Sequence, residues 1–526
     1  MKKQPSPPAP LRPPPMLKPQ RPLKPQSLLK PQPSRSRAAK QVKTELVAEN
    51  RSLFDMHGTG IAADNGEGGV EFNMKGIKVN VGGFIEAAGI YRSRNETSDI
   101  GSPFQNIPLP YASKFNANYF QDETRFSARQ SRLSILAQGD YSPTIHLAGY
   151  YEMDFLGAAP TANSNESNSY NLRIRHLYLT DDWDTCGLHF LAGQTWSLVT
   201  QNTHGITPRQ EEIPLTIDAQ YVPGFNWTRQ AQFRIVKDWD KQFWLGLSVE
   251  NPQTTYVQQA NLANAENYAL NQSGEGGGLL NQGGGFSVND IPDIVAKAAW
   301  ESCWGHFEVF DLVRSFRSTL TVGPNGQVVP NLGGHSISDQ NIIRDSVGGG
   351  FDIPIIPKQL SLQATAMYGD GIGRYGSGQL PDVTQDNLGE IHPITALHFL
   401  GGLTWQPCAA LQFYTYYGLE QANRVDLSSG TTGFGYGSQY YDEALGVFPN
   451  PQFQGYGQIQ SISQITVGDW WSFYQGKFGT MKLGLQYSFT TDNYFSGTAT
   501  QGSLVPIGGP STNDHMFFTS FRYYWN

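Results

Sequence analysis

The chain has 526 residues, of which 16% are charged and 12% aromatic, with 57 glycines and a net charge of −8. Typical soluble domains carry roughly 25% charge, and no apolar run here approaches the ~18 residues of a spanning helix. A helical membrane protein is excluded; a β membrane protein is not, because half of each spanning strand faces water and lowers the mean hydropathy.

Residues 1 to 50 hold eleven Lys or Arg and two acids, a net +9, which leaves −17 for the remainder. Met1-Lys2-Lys3 resembles the charged front of an export signal, but prolines follow where an apolar segment belongs, so no signal peptide is visible. Twelve of the 33 prolines lie between Gln4 and Pro33, and Leu-Lys-Pro-Gln recurs at Leu17, Leu23 and Leu29. Residues 1–37 therefore predict a basic, extended and disordered segment, suited to peptidoglycan or a periplasmic partner. Ala39, Val42, Leu46, Glu49, Leu53 and Met56 follow a 3,4,3,4,3 spacing, which predicts a short helix and a possible coiled coil over residues 38–57. Residues 58–76, rich in Gly and acids, read as a linker.

From Ile77 the pattern changes to period two. In Thr144 to Phe155, Ile145, Leu147, Gly149, Tyr151, Met153 and Phe155 share one face, while Thr144, His146, Tyr150, Glu152 and Asp154 share the other. The same rhythm predicts sixteen strands: Ile77 to Arg94, Thr124 to Gln138, Pro143 to Phe155, Tyr170 to Asp181, Cys186 to Ser197, Thr228 to Lys237, Gln242 to Glu250, Ile291 to Glu301, Gly305 to Arg317, Ser346 to Ile353, Leu360 to Gly369, Thr395 to Gln406, Ala409 to Glu420, Gly455 to Val467, Phe478 to Thr491 and His515 to Trp525. Connectors after odd strands are long, including Asn95 to Glu123, Leu198 to Trp227, Asn251 to Asp290 and Gln421 to Gln454, and those after even strands are mostly short. Outer-membrane barrels have short periplasmic turns and long external loops. The fold class implied is all-β: a transmembrane up-and-down antiparallel barrel of about sixteen strands over residues 77–526.

Trp183-Asp-Thr-Cys186, Trp300-Glu-Ser-Cys303 and Trp405-Gln-Pro-Cys408 each follow an even strand. All three turns thus lie at one end, with Trp in an interfacial belt. They stand four strands apart, about 20 Å at ~4.8 Å per strand, which no disulfide bridges. The last stroke, Phe517 to Asn526, alternates aromatics at 521, 523 and 525, as barrel C-termini do.

A barrel of this size leaves an aqueous channel, so candidate functional residues are inward charges. Arg129 and Arg132 on the second strand, Glu152 and Asp154 on the third, and Arg173 and Arg175 on the fourth set guanidiniums against carboxylates. Arg129 and Arg132 have opposite parity, so both face inward only across a bulge. Such ladders stiffen a wall; where Arg is unpaired, they draw anions into a narrow lumen, and a planar guanidinium suits dicarboxylates. The third long connector, Leu198 to Trp227, is the natural constriction and carries Arg209, Glu211, Glu212 and Asp218; an outward, solvated loop is the alternative. The ten His are scattered, no hydrolase, zincin or P-loop motif occurs, and the glycine-rich Gly369 to Arg374 opens no helix. No enzymatic activity, cofactor, metal or nucleic-acid partner is implied.

Val79-Asn-Val-Gly-Gly-Phe-Ile-Glu, Ala128-Arg-Gln-Ser-Arg-Leu, Glu152-Met-Asp-Phe-Leu-Gly, Leu172-Arg-Ile-Arg-His, Leu191-Ala-Gly-Gln-Thr-Trp-Ser and Tyr368-Gly-Asp-Gly-Ile-Gly-Arg-Tyr, taken in order, resemble the DcaP-like outer-membrane porins. The resemblance implies a sixteen-stranded homotrimer in outer-membrane lipid, often with an N-terminal helical extension, that passes small anionic solutes such as dicarboxylates. The proline-rich repeat and the WxxC turns depart from that pattern. The expectation is a bacterial outer-membrane diffusion porin with a periplasmic N-terminal extension. Its rivals are a closed structural or adhesive barrel and a secreted, soluble β protein that binds carbohydrate.

Overall fold

The computed structural model describes residues 70–74, 76–109, 117–157, 171–256, 287, 289–322, 336–386, 390–428, 433–441, 458–499 and 505–525. The expected basic segment and short helix lie outside them.

Sixteen strands form the wall: β1 (Ile77–Arg92), β2 in two pieces (Glu123–Ser127 and Arg132–Ser142), β3 (Ile145–Asp154), β4 (Arg173–Trp183), β5 (Leu188–Trp196), β6 (Arg229–Trp239), β7 (Phe243–Glu250), β8 (Asp293–Ser302), β9 (Gly305–Val322), β10 (Ser336–Ile356), β11 (Leu360–Asp370), β12 (Thr395–Cys408), β13 (Leu411–Ala422), β14 (Ile459–Gly476), β15 (Gly479–Tyr494) and β16 (Ser511–Tyr524). Each pairs antiparallel with its sequence neighbours, and β16 closes on β1 from Phe84↔Tyr524 to Arg92↔Met516. All sixteen expected strands are present. Two connectors differ: β9 and β10 continue as a ribbon to Val322↔Ser336, and β14 runs on to Gly476. Hairpin pairing there extends beyond the length that alternating hydrophobicity marks. Within the expected linker, Val70–Met74 forms a short strand on the stretch of β1 from Ile77 to Val81. The other edge of that stretch is already paired with β2, so the strand covers the edge that β16 leaves bare.

The faces are inverted relative to a soluble sheet. On β7, Phe243, Leu245, Leu247 and Val249 are exposed, while Trp244, Gly246, Ser248 and Glu250 are buried. On β6 the exposed side chains include Phe233 and Ile235, and the buried ones Gln230, Gln232 and Arg234. An apolar exterior around a polar interior is stable only in hydrocarbon, where closure also leaves no backbone donor unpaired at a sheet edge. The barrel is transmembrane, and the soluble carbohydrate-binding reading falls.

Height can be read from the aromatics. Trp183, Trp300 and Trp405 are outward and exposed near the even-to-odd turns, and Cys186, Cys303 and Cys408 are exposed free thiols beside them. Tyr91, Phe517 and Tyr487 pack together at the opposite end, with ring centroids 6.2 and 4.9 Å apart.

Arg in place of Leu247, midway along β7, should destabilise the barrel by about 2–4 kcal/mol, and Arg in place of Phe243 at the rim by about 0–1 kcal/mol. Denaturant unfolding in lipid vesicles measures both, and equal costs would contradict the assigned depth.

Candidate functional site

The third loop, residues 197–228, enters the lumen. It leaves β5 and reaches β13, eight strands on in a wall of sixteen and therefore diametrically opposite. There the Leu215 N–H donates to the Tyr416 hydroxyl (3.1 Å), the Trp470 indole donates to the Leu215 carbonyl (2.9 Å), and the Ile217 N–H donates to Gln486 Oε1 (2.6 Å). Ile213, Leu215, Ile217, Tyr221, Val222 and Phe225 are buried in one cluster with Tyr414, Tyr416 and Trp470 of the far wall. Near its start the loop is tied down by Lys297, which donates to the Thr200 carbonyl and to Glu308, both at 2.8 Å. Two glycines permit the close approach: a Cβ on Gly224 would overlap the Phe399 carbonyl, and one on Gly418 would overlap that of Pro223.

A second loop, described over residues 371–386 and 390–394, also folds inward, which the sequence reading did not anticipate. Ile372, Tyr375, Leu380, Val383, Ile391 and Ile394 are buried. That many apolar residues in an external connector is the signal that could have revealed it. Tyr375 donates to Asp293 of β8 (2.8 Å), and Arg314 of β9 pairs with Asp382 (2.9 Å). The two loops meet: the Trp227 N–H donates to the Tyr375 carbonyl (2.7 Å), and its indole to Ser377 Oγ (2.9 Å). Glu420 Oε1 on β13 accepts from Gly224 of one loop (2.8 Å) and Gly378 of the other (2.7 Å).

On the opposite side of the third loop lies the charge ladder. Arg175 donates to Glu152 Oε1 (2.5 Å) and Asp154 Oδ2 (3.1 Å). Arg173 grips Asp154 with both prongs, at 3.0 and 2.7 Å. Arg132 approaches Glu152 to 3.9 Å, and Tyr150 donates to Glu152 Oε2 at 3.0 Å. A register shift between Glu152 and Met153 leaves Arg175 as an extra residue on β4, so Arg175 and its neighbour His176 are both buried inward. Strict alternation separates these two, which is why His176 escaped notice.

Arg129 and Arg132 are separated by the interruption of β2 at residues 128–131, the irregularity their parity requires. Arg129 does not stand free: it pairs with Asp99 (3.0 Å) and donates to the carbonyls of Phe155 and Gly157. In the third loop, Arg209 donates to the Tyr178 hydroxyl (3.0 Å). Asp218 accepts from the N–H groups of Ser102 (3.1 Å) and Gln220 (2.8 Å), so it fastens the first loop to the third. Glu211 and Glu212 are buried; the Glu212 N–H donates to the Gln201 carbonyl (2.7 Å).

The sequence reading missed Arg229. Its guanidinium lies over Trp196 (5.0 Å) and Trp227 (5.2 Å), and its Nη1 has no hydrogen-bond partner. By parity it belongs with the outward Ala231 and Phe233, but Trp196↔Arg229 is the last rung of the β5–β6 ladder and lies against third-loop residues. Trp196 accordingly packs on Tyr221, Phe225 and His176. Four guanidiniums (Arg132, Arg173, Arg175, Arg229) against two carboxylates (Glu152, Asp154) leave an excess of two positive charges. Tyr221 senses it: burial pushes its hydroxyl up, but Arg175, Arg132 and Arg229 outweigh burial and hold it below the usual phenol value. Burial raises Glu211, Glu212 and Asp218 above the usual carboxylate range, and Asp352 pushes Glu212 further.

No protein-family model matches this sequence, and no curated protein matches it. Among solved structures, the outer membrane channel DcaP of Acinetobacter baumannii superposes with a TM-score of 0.57 at 18% identity, over 86% of this chain and 99% of that one. The likeness shows the fold. An anion-selective porin from Comamonas acidovorans (TM-score 0.46, 10% identity, 85% and 100% covered) and OprB of Pseudomonas putida (0.41, 10%, 85% and 94%) align more loosely and add nothing to it.

Arg175→Ala leaves the buried Glu152 with only the 3.9 Å approach of Arg132 and should cost about 3–5 kcal/mol, whereas Arg229→Ala, which breaks no ion pair, should cost no more than about 2 kcal/mol. Denaturant midpoints compare them, and equal losses would refute the pairing. Glu212 binds its proton more tightly folded than unfolded, so its contribution is greatest in acid and is lost as pH rises through the raised value. Glu212→Gln should therefore gain about 1–3 kcal/mol near pH 8 and flatten the pH dependence above pH ~5; an unchanged pH profile of the unfolding midpoint would count against it.

Proposed function

We propose that this protein is a bacterial outer-membrane porin through which small hydrophilic solutes diffuse passively, with a preference for small anions such as dicarboxylates. The observation that carries the reading is the excess of two guanidiniums beside the lumen loop, with Arg229 stacked on indoles and in no ion pair among the described residues. Fixed positive charge in a narrow, low-dielectric passage raises the local anion concentration and repels cations, and the planar fork of Arg suits a carboxylate better than a point charge does. The third loop, through Arg209, Glu211, Glu212 and Asp218, acts as the constriction by keeping its position in the lumen. Arg132, Arg173 and Arg175, with Glu152 and Asp154, form the selectivity wall, and Arg129 supports it from the side. Transport needs no cofactor or catalytic residue. A homotrimer, with the basic N-terminal segment on the periplasmic side against peptidoglycan or a protein partner, completes the proposal.

One observation favours the closed, structural barrel instead: Arg132, Glu152, Arg175, Tyr221 and most inward residues of β6 to β8 are buried. Planar-bilayer recording separates the two. The porin reading expects discrete conductance, a reversal potential in a salt gradient that reports anion preference, and a shift towards cations in Arg229→Ala. Absence of conductance from purified protein would overturn the porin; conductance with an unchanged reversal potential in the variant would overturn the charge assignment alone.

A further inference from the structure

We infer that the wall is breached at the interruption of β2, and that the breach is a binding site for an amphiphilic carboxylate whose chain lies on the outer face and whose head reaches Arg229. The inference goes beyond diffusion through the pore, because the ligand enters from the lipid.

The ladder between β1 and β2 stops at Phe84↔Arg132 and resumes at Ala88↔Ser127. Between them the Ser131 hydroxyl, not a backbone carbonyl, accepts the Glu86 N–H at 3.0 Å. Above the break, Glu123–Ser127 pairs with β1 alone, and its other edge has no ladder partner among the described residues. A cavity of about 1530 Å³ occupies this place. Ile85, Ala87, Phe126 and Thr519 line it from the outer face, and Gln220, Trp227, Arg173 and Arg229 line it from the lumen. A space bounded by both faces runs through the wall.

Its chemistry is graded in the same direction. The outer mouth is apolar, with Ile85 and Phe126 59% and 85% exposed, and it runs up the wall from the level of Tyr523, the partner of Ile85, to that of Gly89, the partner of Phe126. Of the other guanidiniums that line the cavity, Arg173 is neutralised by Asp154, Arg129 by Asp99, and Arg125 stands 3.6 Å from Glu123. That leaves Arg229, seated in the corner of two indoles whose centroids are 5.6 Å apart, with its buried Nη1 unpartnered. One unneutralised guanidinium matches one singly charged, planar head, and the apolar mouth matches a hydrocarbon chain.

The full chain in phosphatidylcholine vesicles would be photolabelled with a diazirine-bearing dodecanoate and the adducts mapped by mass spectrometry, which does not depend on conductance. The expected result is labelling confined to the stretch around Ile85, Ala87 and Phe126, competed by dodecanoate and not by acetate. Labelling should fall about tenfold in Arg229→Gln and also in Ala87→Trp and Thr519→Trp, which fill the mouth from two different strands; heat-modifiable gel mobility confirms that each variant is folded. Labelling that persists in both mouth variants, or that spreads over the belt, overturns the site. Competition by dodecanol as strong as by dodecanoate overturns the carboxylate assignment. A protein that conducts nothing yet labels as expected would refute the porin and keep this site.

Discussion

Hydrocarbon offers no hydrogen bonds to a polypeptide backbone, and each donor or acceptor left unpaired in it costs several kcal/mol. Closure of β16 on β1 answers that constraint, and the remainder of the architecture follows from closure. Once the wall is a ring, every strand must show apolar residues outward and can hold polar ones only inward, as Leu245 and Glu250 do on β7. The polar interior then becomes the only place where an inserted loop finds partners. Tyr416, Trp470 and Gln486 are wall residues, yet each spends its hydrogen-bonding group on the third loop.

The two inserted loops share a latch, and this divides the lumen unevenly. Glu420 receives N–H groups from both loops, and Trp227 binds the second through backbone and indole alike. The sector bounded by β6 to β13 thereby holds the joined loops, while the sector by β2 to β5 keeps the guanidinium ladder and the larger cavity. Buried ion pairs such as Arg314–Asp382 are poor sources of net stability, because desolvation offsets most of their attraction. Their directional demands do select one placement of each loop, and that placement decides where unneutralised charge remains.

The strands were legible because period two is a property of the sequence that burial on a closed wall reads out directly. Connector lengths supplied the orientation, and inward Glu152 and Asp154 were found by parity. Parity fails where the backbone departs from the ladder, and the chemistry concentrates there. The bulge at Arg175 adds His176 to the inner face, the last rung of β5 and β6 sets Trp196 and Arg229 against the third loop, and the break in β2 lets Arg129 turn sideways to Asp99. The inserted second loop was hidden for another reason: its apolar residues follow no fixed period, since they pack against an irregular set of wall residues. The ends of β9 and β10 were underestimated because pairing there continues without a lipid face to impose alternation.

The distribution of charge separates the field far from the barrel from the field inside it. Residues 51 to 526 carry −17, so at a distance the chain repels the anions that the proposed function has it pass. At physiological ionic strength the Debye length is about 8 Å, and exposed charges on external loops are screened beyond that distance. Charges within the low-dielectric wall are screened far less. Arg175, Arg132 and Arg229 hold the Tyr221 hydroxyl below its usual value despite burial. In the proposed porin, selection rests on the few guanidiniums within a Debye length of the passage, and the acidic surface around them bears on approach.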